Sequence, residues 1–204
     1  RTLVVSAPLY ETFAPILAGQ PHLAQVVVAN GAAPEGTLSL DDLLADAGAE
    51  LEPALTTCDD VCFWLYTSGS TGTPKAAVHI QSDIVHTAEL YGVGVLGIAE
   101  SDTVFSAAKL FFAYGLGNAM TVPLWTGGQA ILSDLRPTPE MTFELIARFR
   151  PTLYYGVPTL YAAQLRALEN AEPDLSSLRI CFSAGEPLPP DIFRRWRERT
   201  GLPI

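Results

Sequence analysis

"YTSGSTGTPKAAVH", Tyr66–His79, is the stretch from which the fold can be read. Thr67 to Gly72 holds only hydroxyl residues and glycines, and Pro74 and Lys75 close the run. Such a segment offers almost no apolar surface, and glycine weakens helix and strand alike, so it is not a core element. Before it stands the apolar run "VCFWLY" (Val61–Tyr66), and at its end the short β-like "KAAVH" (Lys75–His79), which makes it a loop between two strands. Glycines let backbone N–H groups approach an anion closely, the hydroxyls of Thr67, Ser68, Ser70 and Thr71 add donors, and Lys75 supplies a point charge. The loop is a local provision for phosphate.

The rest of the chain makes no such provision. Twelve Lys and Arg against 22 Asp and Glu give a net charge of −10, which excludes nucleic acid or an anionic membrane as the main partner. At 204 residues, 49% hydrophobic and 17% charged, with 16 Gly and 16 Pro, this is a packed globular protein rich in turns, one domain or part of a larger one. Three cysteines (Cys58, Cys62, Cys181) are too few for a disulfide framework, and with His22, His79 and His86 they suggest no metal spacing, so a reducing cytoplasm is expected. No apolar run is long enough to span a bilayer, and "RTLVVSAPLY" has no leader pattern. Both ends read as cut: "ERTGLPI" leaves a helix at Gly201, where a new strand is expected.

Short apolar runs at Thr2–Ser6, Gln25–Ala29, Val61–Tyr66, Gln129–Leu132, Pro151–Gly156 and Leu178–Ser183 suit strands covered on both faces. Helical stretches lie between them at Leu9–Ala18, Ser82–Leu96, Leu116–Trp125, Pro139–Phe149, Thr159–Leu168 and Pro190–Arg199. Ser82 and the Thr138–Pro139 pair are helix starts. The alternation predicts an α/β fold with a largely parallel sheet layered with helices. Residues 1–60 are a βαβ-like lead-in followed by a surface excursion from Asn30 to Asp60, which carries one short helix near Ser39–Gly48. Residues 61–204 carry the chemistry.

Several other patterns carry no function. From Gly69 the loop has Pro74 and Ala76 where a Walker loop needs Gly and Ser or Thr, and it leads into a strand. "GVGVLG" (Gly92–Gly97) ends a helix instead of following a strand. "CFSAG" (Cys181–Gly185) lacks the first glycine of a hydrolase elbow, and no His follows Ser183. His79 and His86 read as packing or surface residues, and "RRWRER" (Arg194–Arg199) as a solvated helix face.

The ordered loop "YTSGSTGTPK" resembles the phosphate-binding signature of the adenylate-forming (acyl-activating, AMP-binding) superfamily, which includes acyl- and aryl-CoA synthetases, luciferases and peptide-synthetase adenylation domains. Ala76 departs from the glycine more usual there. "KLFFAYGLGNAM" (Lys109–Met120) resembles the segment forming one wall of the acid pocket, and "SAGEPLP" (Ser183–Pro189) the turn lying against adenine. Taken together, the segments look most like benzoate-CoA ligases and their aryl-CoA relatives. On residue chemistry alone, Phe111, Phe112 and Tyr114 suit either an aromatic-ring site or a buried helix start; the resemblance favours the former.

The resemblance implies a fragment of the large N-terminal domain of such an enzyme. It implies MgATP and an aromatic carboxylate giving an acyl-adenylate and pyrophosphate, and then coenzyme A displacing AMP. It places Thr67, Ser68, Gly69, Ser70, Thr71, Gly72 and Lys75 on the β- and γ-phosphates, with Lys75 and Thr71 catalytic and Thr71 near Mg2+. It places Ala184, Gly185, Glu186 and Pro187 on adenine, with Glu186 solvated or structural, and Ala113 and Tyr114 on the acid. The magnesium-binding Glu, the ribose-binding Asp, the hinge and the C-terminal lid domain with its catalytic Lys are expected beyond Ile204. The chain alone is therefore expected to make no acyl-adenylate. A different acceptor, such as a carrier-protein thiol or a luciferase-like reaction, and a nucleotide-binding fragment without chemistry remain open, as does a homodimer.

Overall fold

The computed structural model describes residues 1–17, 19–67 and 72–204. Ala18, expected to end the first helix, lies outside them, as do Ser68, Gly69, Ser70 and Thr71 of the loop. The chain divides into two compact units, Arg1–Leu55 and Thr56–Ile204.

In the first unit, β1 (Thr2–Ser6), α1 (Ala7–Leu17) and β2 (Gln25–Ala29) form a parallel pair in register from Thr2↔Gln25 to Ser6↔Ala29. Val5, Val27 and Val28 are buried. The excursion is less detached than its composition suggests. Leu38–Ser39 (β3) returns to pair with Val27 and Val28, also in parallel. Ser39 then caps α2 (Leu40–Asp46), its Oγ accepting the Asp42 N–H at 3.2 Å, and Asp41 and Asp42 oppose the positive end of the helix dipole.

The second unit opens with an antiparallel hairpin. β4 (Val61–Thr67) and β5 (Lys75–Ile80) pair from Phe63↔His79 to Thr67↔Lys75. His79 is a packing residue: its ring stacks on Phe63 with centroids 4.9 Å apart, and its Nδ1 lies 3.0 Å from Asp83 Oδ2. The same carboxylate oxygen accepts the Ile80 N–H at 3.2 Å, joining the hairpin to α3 (Gln81–Thr87). The single helix expected over Ser82–Leu96 instead passes into a π-helical turn at Ala88–Val93. There Gly92 packs so tightly on Val122 that a Cβ would fall 2.5 Å from Val122 Cγ1.

A four-stranded, wholly parallel sheet follows, in the order β7 (Gln129–Ile131), β6 (Thr103–Ser106), β8 (Leu153–Gly156), β9 (Ile180–Ser183). Its apolar runs are continuous because both faces are covered. Phe105, Tyr154 and Cys181 meet Met141, Phe143, Ile146, Tyr161, Leu165 and Trp196 from α6 (Pro139–Phe149), α7 (Pro158–Ala167) and α8 (Pro190–Thr200). Val104, Leu153 and Tyr155 face Ala88 and Val122 on the other side. α6 starts where expected, Thr138 Oγ1 accepting the Met141 N–H at 3.2 Å with Pro139 in the first turn. On the basic α8, Trp196 is fully buried, while Arg195 and Arg199 reach Glu169 and Glu172 at 4.0 and 3.8 Å.

One polar cluster pins the amino ends of the strands. Asp102, only 6% exposed, accepts the Arg179 Nε at 3.1 Å and Nη2 at 2.9 Å, the Thr152 hydroxyl at 2.6 Å and the Ala99 N–H at 3.0 Å. Burial alone would raise its pKa, but the hydrogen bonds from Arg179, Thr152 and Ala99 outweigh it and hold the carboxyl below its usual range.

Candidate functional site

The carboxyl edge of a parallel sheet is where loops gather and ligands are bound. Here β6, β8 and β9 end at Ser106, Gly156 and Ser183. Leaving β6, the Ala107 N–H donates to Tyr155 O at 2.9 Å, Ser106 Oγ to Ala108 O at 3.1 Å, and the Phe112 N–H to Lys109 O at 3.0 Å. The chain then enters α4 (Ala113–Leu116), a π-helical turn (Gly117–Thr121) and α5 (Val122–Thr126), so helix begins three residues before the expected Leu116. Gly115 permits this course: a Cβ there would fall 2.5 Å from Ala108 O and closer still to Lys109 O.

Of the residues assigned to the acid, Ala113 is exposed and Tyr114 half-buried. Phe111 and Phe112, 76% and 58% exposed, add apolar surface beside them. The Tyr114 ring meets Tyr155 edge-on at 6.0 Å, and Tyr155 stacks on Phe182 at 4.8 Å. This run of rings leads from the β6–α4 segment to the residue next to Ser183. Among the described residues, the Tyr114 and Tyr155 hydroxyls and Ser183 Oγ are buried with no hydrogen-bond partner. Burial, and then the neighbouring tyrosines, raise both phenol pKa values, so both hydroxyls stay neutral and can donate.

Ala184, Gly185, Glu186 and Pro187 form the turn between β9 and α8, with Ala184 half-buried and the other three exposed. Gly185 has φ +86° and open space where a Cβ would stand, so its conformation, not crowding, calls for glycine. The turn is fastened from beneath by Tyr161, whose hydroxyl donates to Phe182 O at 2.8 Å.

The residues assigned to phosphate stand on the hairpin. Thr67 and Lys75 are its last pair and both are exposed. Gly72 is left-handed at φ +78°, with nothing within 4 Å of a Cβ position. Backbone N–H groups at such a glycine can approach an anion closely, and Lys75 adds an exposed cation to the same hairpin. Ser68, Gly69, Ser70 and Thr71, including the hydroxyl assigned to Mg2+, lie outside the described residues. Thus Ala113, Tyr114 and Ala184–Pro187 follow strands of one sheet edge, while Thr67 and Lys75 end the β4–β5 ladder and Gly72 lies in the loop that joins them.

The family model of AMP-binding enzymes matches residues 2–204. The chain belongs to the AMP-binding enzyme family. It is 53% identical over 204 residues to the benzoate–CoA ligase of Thauera aromatica, matching all of this chain and 38% of that protein. It is 44% identical over 207 residues to the 4-hydroxybenzoate–CoA/benzoate–CoA ligase of Rhodopseudomonas palustris, again 100% of this chain against 38%. Among solved structures, the anthranilate CoA ligase AuaEII in complex with anthranoyl-AMP superposes at a TM-score of 0.93 and 38% identity, covering 100% of this chain and 40% of that one. The chain therefore spans about two fifths of the length of these relatives. Among the described residues, no helix is long and apolar enough to cross a membrane.

Sequence reading passed over Tyr155, Phe182 and the role of Lys109. The two aromatics look like ordinary strand residues. Only the pairing of Tyr155 with Phe182 across β8 and β9 shows that the buried Tyr155 ring joins the Phe182 and Tyr114 rings in one run.

Proposed function

We propose that this chain is a piece of the large N-terminal domain of an aryl-CoA ligase that activates a small aromatic carboxylate, benzoate or a close analogue, with ATP and passes the acyl group to coenzyme A. The observation carrying this reading is the match of the entire chain, at 53% identity, to a benzoate–CoA ligase. The aromatic surface at the sheet edge supports it. Phe111, Phe112 and Tyr114 offer flat apolar faces to a benzene ring, and the neutral Tyr114 hydroxyl offers a donor near it.

In this reading, residues 1–60 lead in and residues 61–204 bind the substrates. Thr67–Gly72 and Lys75 hold the β- and γ-phosphates, with Lys75 and Thr71 catalytic. Ala184–Pro187 flank adenine, and Ala113 and Tyr114 line the acid pocket. Preorganised donors aimed at the departing pyrophosphate contribute about 3 kcal/mol each to such a step. Mg2+, held in part by Thr71, would neutralise phosphate charge.

The test is a pyrophosphate-release and thioester assay on the full-length enzyme with benzoate, ATP and coenzyme A. Benzoyl-CoA formation is expected. Pyrophosphate release whose product leaves without coenzyme A would assign a different acceptor. No release with benzoate, hydroxybenzoates or aminobenzoates would sink the proposal. The 204-residue chain alone is expected to release none.

A further inference from the structure

Lys109 opens the aromatic segment, and the structure gives its side chain a distinct task. Its Nζ donates to two backbone carbonyls, Ser133 O and Leu135 O, each at 2.5 Å. Both belong to the stretch leaving β7, the edge strand beside β6. That stretch is itself turned so that the Leu135 N–H donates to Ser133 Oγ at 3.2 Å, gathering two carbonyls around one ammonium. Burial lowers the Lys109 pKa, and the Asp134 carboxylate opposes that effect. The backbone of Lys109 works in the other direction: its carbonyl accepts the Phe112 N–H at 3.0 Å and backs directly onto Gly115. One residue thus closes the turn that delivers Ala113 and Tyr114 and anchors that turn to the neighbouring strand end.

We propose that Lys109 is a positioning residue for the aromatic acid, setting the place of Ala113 and Tyr114 through its grip on Ser133 and Leu135. It rests on the aryl-CoA ligase reading given above. Lys109 does not touch the acid. Its ammonium is committed to carbonyls, and a carbonyl pair needs a donor rather than a carboxylate partner. Methionine, similar in length, leaves both carbonyls without that donor. Arginine can restore two N–H groups from one planar head.

The test uses K109M and K109R, with K109Q read in the same way should K109M fail to fold. In the full-length enzyme, K109M is expected to raise the KM for the aromatic acid about tenfold while the KM for ATP stays within about twofold, and K109R to recover most of the loss. An unchanged acid KM, an equal rise in both KM values, or an arginine variant no better than methionine would overturn the inference. Hydrogen exchange on the 204-residue chain reads the same point without activity. K109M should speed exchange of the Phe112, Leu116 and Leu135 amides about tenfold or more and leave those of β8 unchanged. Unaltered exchange at those amides would also overturn the inference. A parent enzyme that activates no aromatic acid would instead remove the proposed function, leaving the exchange result to judge the anchor.

Discussion

Asp102→Ala should be the most damaging single change at the amino edge of the sheet. Asp102 is 6% exposed and accepts four hydrogen bonds, from Thr152, Ala99 and two guanidinium nitrogens of Arg179. Removing it strands the Ala99 N–H, leaves the Thr152 hydroxyl only its 3.2 Å hydrogen bond to Thr103 O, and uncouples β6, β8 and β9, which begin one after another around this carboxylate. Breaking a buried ion pair costs about 3 to 5 kcal/mol. The Arg179 side chain is 42% exposed and can be rehydrated, which puts the loss at the lower end, about 3 kcal/mol. For a chain of this size, that lowers Tm by about 6 to 12 °C. All three tryptophans lie in the unit Thr56–Ile204, so thermal unfolding followed by tryptophan fluorescence reports the unit that contains Asp102. The pH dependence has a definite sign. A carboxyl whose folded pKa is depressed stabilises above the unfolded value and loses that contribution as pH falls through the folded one. The gap between parent and variant should therefore be full at pH 7 and narrow below about pH 4. A Tm shift under about 2 °C at neutral pH, or a gap that widens in acid, would refute the reasoning.

Lys75→Met should weaken ATP binding by the full-length enzyme about tenfold or more, read by calorimetric titration, while Tm moves by no more than about 2 °C because the residue is exposed. Gly115→Ala should cost about 1 to 3 kcal/mol, since its methyl would strike Ala108 O and Lys109 O, and should raise the KM for the aromatic acid more than that for ATP. Thiol labelling of the native chain at pH 8 should modify the exposed Cys58 promptly and spare Cys181 until denaturant is added. Burial excludes the reagent from Cys181 and pushes its thiol up to about 12, so almost no thiolate is present; rapid native labelling of Cys181 would contradict the packing of β9 on α7 and α8.

Much of the molecule was legible in one dimension because its cues are local. Thr138–Pro139 carries a cap and a first-turn proline, and α6 runs from Pro139 to Phe149 as read. "LYYG" and "ICFS" are apolar without alternation, as strands buried on both faces must be, and the order of hydroxyls and glycines in Thr67–Gly72 named the family without any coordinates. Other features were invisible because they depend on partners distant in sequence. β6 is a central strand, yet "TVFS" is only four residues long and borders Asp102 on one side and small residues on the other, so it is absent from the strands expected from sequence, and only the pairing of Val104 and Phe105 on both edges shows it. β3 exists only because Val27 and Val28 offer it an edge. The expected helix from Ser82 to Leu96 was interrupted by packing, not propensity: Gly92 and Val122 interlock where a π-helical turn lets two backbones approach. Sequence alone therefore determined most of the strands and helices and the chemistry of the loop, since those follow from neighbouring side chains and turn residues. Tertiary structure alone decided that the Tyr114, Tyr155 and Phe182 rings pack in one run, that Asp102 gathers three strand starts, and that Lys109 holds a turn 24 residues away, because each needs groups whose proximity is created only when the sheet assembles.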